Sequence, residues 1–335
     1  MEIGFRFVNY GERFEPQPQT LVLDVGMKTV PGVIDHHHPE AEPECTASLI
    51  AKYPQFVLEH IKAAYPFTII THRLPDFDSL ASIFLATKLL ETGRIDASMK
   101  KIADYTKLVD SASLPKNLDL SGTPYAILRA LFSGSKKSEE VVNRDRLAEG
   151  SKFMRFLYGK AEEALDIVEN RGLFAGIDRY EQAMRKVEDD YFAYLSDLGR
   201  GKTLSLMLPR VDLTGRKKVD GLIVSNPRSF LTKEWARRDK EHPEQGEGFA
   251  FLMNSFGNMR FILGVDPEQG VNLKGLGRML NEKEQEKRAE QEWPMVSWYE
   301  GNCPFFNYRI IDSPQDGTAL SHDEIVEVIK AYGRP

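Results

Sequence analysis

Short apolar runs and helically spaced apolar residues alternate along the first third of the chain. Residues 20–25 (TLVLDV) form a continuous apolar run that predicts a buried strand, and residues 32–34 predict a shorter one entering Asp35. Over 46–65 the apolar positions Leu49, Ile50, Tyr53, Val57, Leu58 and Ile61 fall on one broad helical face. Residues 67–71 (FTIIT) are β-branched and apolar, the clearest buried strand of the sequence. A helix over 78–92 follows, ending near Gly93. Strand, turn, helix and strand in this rhythm predict a parallel α/β layer.

The pattern then changes. From 120 to 198 it is helical and rich in charge, with long amphipathic helices expected over 153–169 and 179–195. After Gly199-Arg200-Gly201 it turns β-rich again, with strands expected over 203–208, 221–225, 249–254 and 260–265. Two further helices are expected, over 273–291 and over 321–332, the last opening on a Ser-x-x-Glu capping box. The expected fold class is therefore α/β in three parts. A parallel-sheet domain spans 1–120, a helical linker or bridge 121–199, and a smaller α/β domain 200–335.

Composition narrows the function classes. A chain of 335 residues with 41% hydrophobic and 28% charged residues can bury a core and solvate its surface. The net charge of −6 argues against broad coating of nucleic acid, though not against a small basic pocket for one phosphorylated ligand. Cys45 and Cys303 are far apart and outside any CxxC pattern, so no disulfide partner is expected and a reducing, cytoplasmic location fits. No signal peptide is visible, and no apolar run approaches the roughly 18 residues that span a membrane.

Four of the seven histidines fall at two places. Asp35-His36-His37-His38 directly follows an apolar strand, and His72, Asp76 and Asp78 directly follow FTIIT; Asp24 ends a third strand. In open α/β sheets, ligands bind at the carboxyl ends of strands, so three strands would bring imidazoles and carboxylates to one rim. A turn containing Pro75 would gather positions 72, 76 and 78 round one centre. Asp and His are suitable donors for manganese, magnesium, iron or zinc, and a bridging carboxylate offsets the repulsion between two ions. Either motif alone is also what a surface loop or a helix cap looks like; their coincidence after three strands is the signal.

VIDHHHP and ITHRLPDFDSLAS resemble the two metal motifs of the DHH phosphoesterase superfamily, over roughly residues 20 to 115. That superfamily includes family II inorganic pyrophosphatases, single-strand exonucleases, oligoribonucleases and cyclic-dinucleotide phosphodiesterases. LVLDV resembles the strand of its bridging aspartate, and ECTASLIAKY the small-residue helix after the histidines. The motif order is reversed relative to the usual members. The resemblance implies two divalent ions, manganese first, with magnesium, iron or zinc as alternatives. His72, Asp76 and Asp24 would hold one ion, and Asp78, Asp24 and His36 the other, with Asp24 bridging. Asp110 is the favoured last ligand and Asp104 its alternative. His37 would face the substrate phosphate, and His38 is left as a supporting or exposed group. The implied chemistry is hydrolysis by a metal-activated water, with Asp24, Asp76 and His37 in the catalytic set.

For the second domain, the resemblance implies a substrate-binding arginine, which Arg228 matches just after the apolar strand within VDGLIVSNPRSFL, with Asn226 and Ser229 beside it. The triplet Arg216-Lys217-Lys218 resembles that of family II pyrophosphatases but reads as a solvated turn. The GGGH-type motif of nucleic-acid-cleaving members is missing, and NSFGN at 254–258 has no histidine. A nucleobase pocket near Trp298 and Tyr299 competes with simple packing. The expected substrate is a small phosphorylated, nucleotide-like molecule or short oligonucleotide. Pyrophosphate hydrolysis and non-catalytic recognition of a phospholigand are the alternatives, and a homodimer is left open.

Overall fold

The computed structural model describes residues 2–62, 64–134, 138–257 and 259–334. The chain is α/β, with two mixed sheets. It divides into two compact units: Met1–Glu188 with Cys303–Phe305, and Asp189–Asn302 with Phe306–Pro335.

The first unit is built on strands β1 (Ile3–Val8), β2 (Thr20–Leu23), β3 (Thr29–Val30), β4 (Val33–Ile34) and β5 (Phe67–His72), in the order β1-β5-β2-β4-β3. β1, β5, β2 and β4 run parallel, as the crossover pattern predicts. The sheet is nevertheless mixed, because β3 pairs antiparallel with β4. The reason is local: Pro31-Gly32 makes a two-residue turn, Gly32 takes φ +87°, and a Cβ there would lie 2.3 Å from the His60 ring. β1 carries no core signal in sequence because only Val8 of its residues is buried.

Helices α1 (Thr46–Lys52), α2 (Gln55–Leu58), α3 (Phe77–Thr92), α4 (Ala97–Asp110), α5 (Pro124–Phe132) and α6 (Glu139–Glu162) complete the layer. The single helix expected over 46–65 is two, since Pro54 has no N–H to continue α1 and drives Tyr53 out of the helical region; Ala63 of that stretch lies outside the described residues. α3 matches its expected span, from the Asp76 cap to Gly93 in the left-handed region. α3 packs on α1, α4 and α6. Gly150 of α6 allows close approach, because a Cβ there would lie 2.5 Å from Leu80 Cδ1. The helix expected at 153–169 starts earlier, in a charged stretch that masks it, and stops before Ala164, whose φ is +58°. The expected helical bridge is divided: α5 and α6 belong to the first unit, and α7 (Asp178–Arg200) contributes to both.

The second unit holds β6 (Lys202–Pro209), β7 (Arg216–Ser225), β8 (Phe251–Phe256), β9 (Arg260–Val265) and β10 (Ile310–Asp312), in the order β10-β9-β8-β7-β6. Only the β7–β8 pair is parallel among its ladders. α8 (Thr232–Arg238), α9 (Leu276–Glu290) and α10 (His322–Tyr332) accompany the sheet. Leu208, Phe251, Leu263, Leu280, Ile325 and Ile329 lie in its core. Arg216-Lys217-Lys218 begins β7 and is not a free turn: Arg216 Nε donates to Met207 O at 2.8 Å, and Lys217 Nζ to Gln269 Oε1 at 2.7 Å. The Ser321–Glu324 capping box is formed at α10. Among the described residues, no helix is long and apolar enough to cross a membrane.

Candidate metal centre

β5, β2 and β4 are neighbours and parallel, so their carboxyl ends share one edge of the sheet. Asp24 follows β2, Asp35-His36-His37 follows β4, and His72 closes β5. Asp24 sits at φ 62°, a left-handed conformation that its short side chain tolerates and that occurs where surrounding structure enforces it.

Two clusters result. In the first, His72 Nε2 lies 3.2 Å from Asp24 Oδ2 and 3.7 Å from Asp76 Oδ1. In the second, His36 Nε2 lies 3.3 Å from Asp110 Oδ2, and His36 Nδ1 is 3.8 Å from Asp78 Oδ2. Asp24 joins them, its Oδ1 being 3.7 Å from His36 Nδ1 and 3.8 Å from His37 Nδ1. The sets Asp24–His72–Asp76, His36–Asp78–Asp110 and Asp24–Asp35–His36–His37 each offer donor atoms within 4.8 Å of one another. His36 and His72 are fully buried, Asp24 and Asp78 nearly so, and Asp76 lies at the rim.

The donor set fits divalent cations. Asp24, Asp76, Asp78 and Asp110 meet only histidines as ion-pair partners among the described residues. Buried carboxylates without compensating cations are costly, and metal coordination is one of the few ways to satisfy them. Asp110 Oδ2 is buried and accepts no hydrogen bond among the described residues. Asp104, on the exposed side of α4, joins no cluster.

No family model, curated protein or solved structure matches the chain. Its chemistry must be read from its own residues.

Protonation in the metal-free site follows from crowding. Burial, and then the neighbouring Asp24 carboxylate, push Asp78 well above the usual range. Asp110 is pushed the same way by burial and then by Asp78. Burial opposes a charge on His72, but the hydrogen bonds it donates to the Asp24 and Asp76 carboxylates outweigh it and raise the imidazole to about 10. His36 moves the other way, to about 3, through burial and the neighbouring His37 cation. His37 is raised to about 9 because Asp35, 2.6 Å from its Nδ1, overcomes the burial that opposes its charge. Asp35 is itself held far below the carboxylate range, its burial outweighed by His37 and by the Met27 N–H at 2.6 Å.

Several supporting residues carry no strong sequence signal. Ser79 Oγ donates to Asp24 Oδ2 at 2.7 Å and is also hydrogen-bonded to His72 Nε2. Thr46 Oγ1 donates to Asp24 Oδ1 at 3.2 Å and lies 3.2 Å from His36 Nδ1. Tyr10 stacks on the His72 ring at 4.0 Å, and Phe305 meets His36 edge-on at 4.9 Å. Ser79 directly follows the HxxxDxD run, and Thr46 opens the helix after the histidines; only that adjacency could have singled them out. His38 Nε2 lies 3.1 Å from Thr29 Oγ1, outside the clusters.

The substrate residues expected in the second unit separate. Asn226 and Arg228 are exposed beyond β7. Ser229 is turned inward: its hydroxyl donates to Asp190 Oδ2 at 2.6 Å and its N–H to Asp197 Oδ2 at 2.9 Å. These bonds tie Ser229 into the loop, whereas Asn226 and Arg228 face outward. Asn258 of NSFGN lies outside the described residues. Trp298 is buried, with Nε1 donating to Glu284 Oε2 at 3.1 Å, which favours packing over base stacking. Cys45 and Cys303 are buried and form no disulfide among the described residues.

Proposed function

We propose that the chain is a divalent-metal-dependent phosphohydrolase acting on a small phosphorylated, nucleotide-like substrate. One observation carries the reading: at the carboxyl ends of adjacent parallel strands Asp24 belongs to the cluster of His72 and Asp76, and its Oδ1 lies 3.7 Å from His36 Nδ1 of the cluster with Asp78 and Asp110. His72, Asp76 and Asp24 would hold one ion, and His36, Asp78, Asp110 and Asp24 a second, with manganese the first candidate. Bound divalent ions would lower the pKa of water toward neutrality and offset negative charge on the phosphoryl oxygens.

The chain's own residues supply orientation and proton handling. Asp24 is held by hydroxyls on both oxygens, from Ser79 and Thr46, which fixes it between the clusters. His37, held by Asp35 and part exposed, has its imidazole raised to about 9 by that carboxylate before any ion binds, which suits it to donate to a phosphoryl oxygen or leaving group. Its raised affinity for the proton favours the acid role over that of a base.

The test is an activity panel supplemented with manganese, covering an aryl phosphate, pyrophosphate, dinucleotides, cyclic dinucleotides and nucleoside phosphates, with Asp24→Asn alongside. We expect turnover only with added metal and its loss by at least about 100-fold in Asp24→Asn. Unchanged activity in that variant removes the mechanism. Tight metal and ligand binding without turnover of any member favours a phospholigand-binding protein.

A further inference from the structure

The turn that carries His72 and Asp76 is held from outside the metal-binding motifs. The Leu74 N–H donates to Asn143 Oδ1 at 2.6 Å, and Arg146 Nη1 donates to Leu74 O at 2.9 Å. Both backbone polar groups of the residue midway between two candidate ligands are thus taken by α6. Leu74 takes φ 55° in this grip, a left-handed conformation that a leucine keeps only where its surroundings impose it. Asn143 is itself buried, and the Arg146 guanidinium lies 5.1 Å from the Phe132 ring of α5, which limits where its donors point.

The grip reaches both ligands. On one side, Arg73 O lies 2.8 Å from His72 Nδ1. A carbonyl can only accept, so Nδ1 carries the hydrogen and Nε2 is the atom turned toward Asp24 and Asp76. That carbonyl and the Leu74 N–H belong to one planar peptide group. Asn143 therefore fixes the plane whose other end orients the imidazole. On the other side, Asp76 caps α3, and Gly150 of α6 lets that helix lie against Leu80 of α3. Asn143, Arg146 and Gly150 are three and four residues apart, so a single face of α6 meets the turn and the helix behind it. α6 has an apolar seat of its own in the buried Phe153, Met154 and Leu157, and its docking does not need a buried amide at 143.

We infer that Asn143 and Arg146 are positioning residues for the ion of the His72 cluster. Through one peptide plane they set the direction of His72 Nε2 and its separation from Asp76, and they leave the cluster of His36, Asp78 and Asp110 untouched. The inference rests on the two-ion centre of the proposed function, and it gives α6 a supporting role that its charge-rich pattern conceals.

The test reads metal affinity one ion at a time, by manganese titration of the full-length protein. In Asp110→Asn the ion that remains belongs to His72 and Asp76; in Asp76→Asn it belongs to His36 and Asp78. Adding Asn143→Leu should weaken manganese binding by about 10–100-fold in the first background and by less than about threefold in the second. Arg146→Gln, at a part-exposed residue, should show a smaller loss of the same selectivity, and it decides the matter should Asn143→Leu not fold. Asn143→Asp keeps an acceptor for the Leu74 N–H and should hold the first affinity within about threefold of its parent. Arg144→Gln, which removes an exposed charge paired with Glu140, should change neither. Equal losses in the two backgrounds, or none in the first, overturn the positioning role and leave α6 as a packing helix beside an intact metal centre. A protein that binds no manganese loses the role and the centre together. A selective loss in a protein that hydrolyses nothing keeps the role and removes the hydrolase reading.

Discussion

Asp78 Oδ2 accepts the backbone N–H of Thr46 at 2.9 Å, and its other oxygen accepts that of Ala47 at the same distance. The residue at the cap position of α1, Cys45, offers no side-chain hydrogen bond, so a carboxylate from α3 caps α1 from across the site. The same carboxylate faces His36. Its role is therefore double. Asp78→Ala is expected to lower the stability of the metal-free protein by about 1–2 kcal/mol in urea unfolding. It should also remove one equivalent of bound manganese. Full metal stoichiometry in this variant would exclude Asp78 as a ligand and leave only the cap.

Asp110 makes the contrasting case. It ends α4 with one oxygen buried and accepting no hydrogen bond among the described residues, and its neighbours favour its neutral form. Asp110→Asn replaces a carboxyl whose pKa burial and Asp78 push upward with an uncharged group of the same shape. Metal-free stability should change by no more than about 0.5 kcal/mol, while manganese stoichiometry should fall from two to one. A large stability loss in the metal-free variant would mean that the carboxylate serves the fold and not an ion.

Ser79 touches Asp24 and His72 together. Such supporting groups orient ligands, and their removal commonly weakens metal affinity or activity by about 10–100-fold. Ser79→Ala is expected to do this with little change in unfolding midpoint beyond about 1 kcal/mol. Metal titration by calorimetry measures the first quantity and urea denaturation the second. An unchanged affinity would mean that Asp24 is fixed by Thr46 alone.

The meeting of Asp24, His36 and His72 was legible in sequence because each stands at or just after the end of a strand, and parallel neighbours align their carboxyl ends. Asp110 was separable from Asp104 only by the helical phase of α4. Arg146 was not legible at all. It reaches the metal turn from 72 residues beyond Leu74, through a helix whose charged surface pattern resembles ordinary solvation. The inward hydrogen bonds of Ser229 were hidden for a related reason. A serine beside an arginine after a strand resembles a binding loop, and its partner Asp190 lies 39 residues upstream in another charged helix.

That partner is itself testable. Asp190 accepts from Ser229 Oγ, from the backbone N–H groups of Phe230 and Leu231, and from Trp235 Nε1. Burial raises its pKa, and these donors oppose the shift. Asp190→Ala leaves several donors in a buried loop without their acceptor and should cost about 2–4 kcal/mol in denaturant unfolding. Ser229→Ala removes only one and should cost about 1 kcal/mol, with KM unchanged within about twofold. A larger effect on KM than on stability would return Ser229 to the substrate.

Metal uptake should release protons. Asp78 and Asp110 are raised well above the carboxylate range and His72 to about 10, so the metal-free site holds protons that coordinated ligands cannot keep. His36, lowered to about 3, is already neutral and contributes none. Groups whose folded pKa is raised bind more protons in the native than in the unfolded state, so they make metal-free stability fall as pH rises. For His72 the contribution is fully present below its unfolded value of 6.5 and is lost as pH passes about 10. For the two carboxylates the loss begins above their unfolded value of 3.8. Metal-free protein should therefore become less stable between about pH 6.5 and 10, whereas manganese-loaded protein, its ligands already deprotonated, should vary far less. Calorimetric titration in two buffers of different ionisation enthalpy should report more than about one proton released per protein at neutral pH. Identical heats in both buffers, together with parallel pH profiles for the two forms, would mean that these groups lose no proton to an incoming cation, and that the clusters are hydrogen-bonded structure alone.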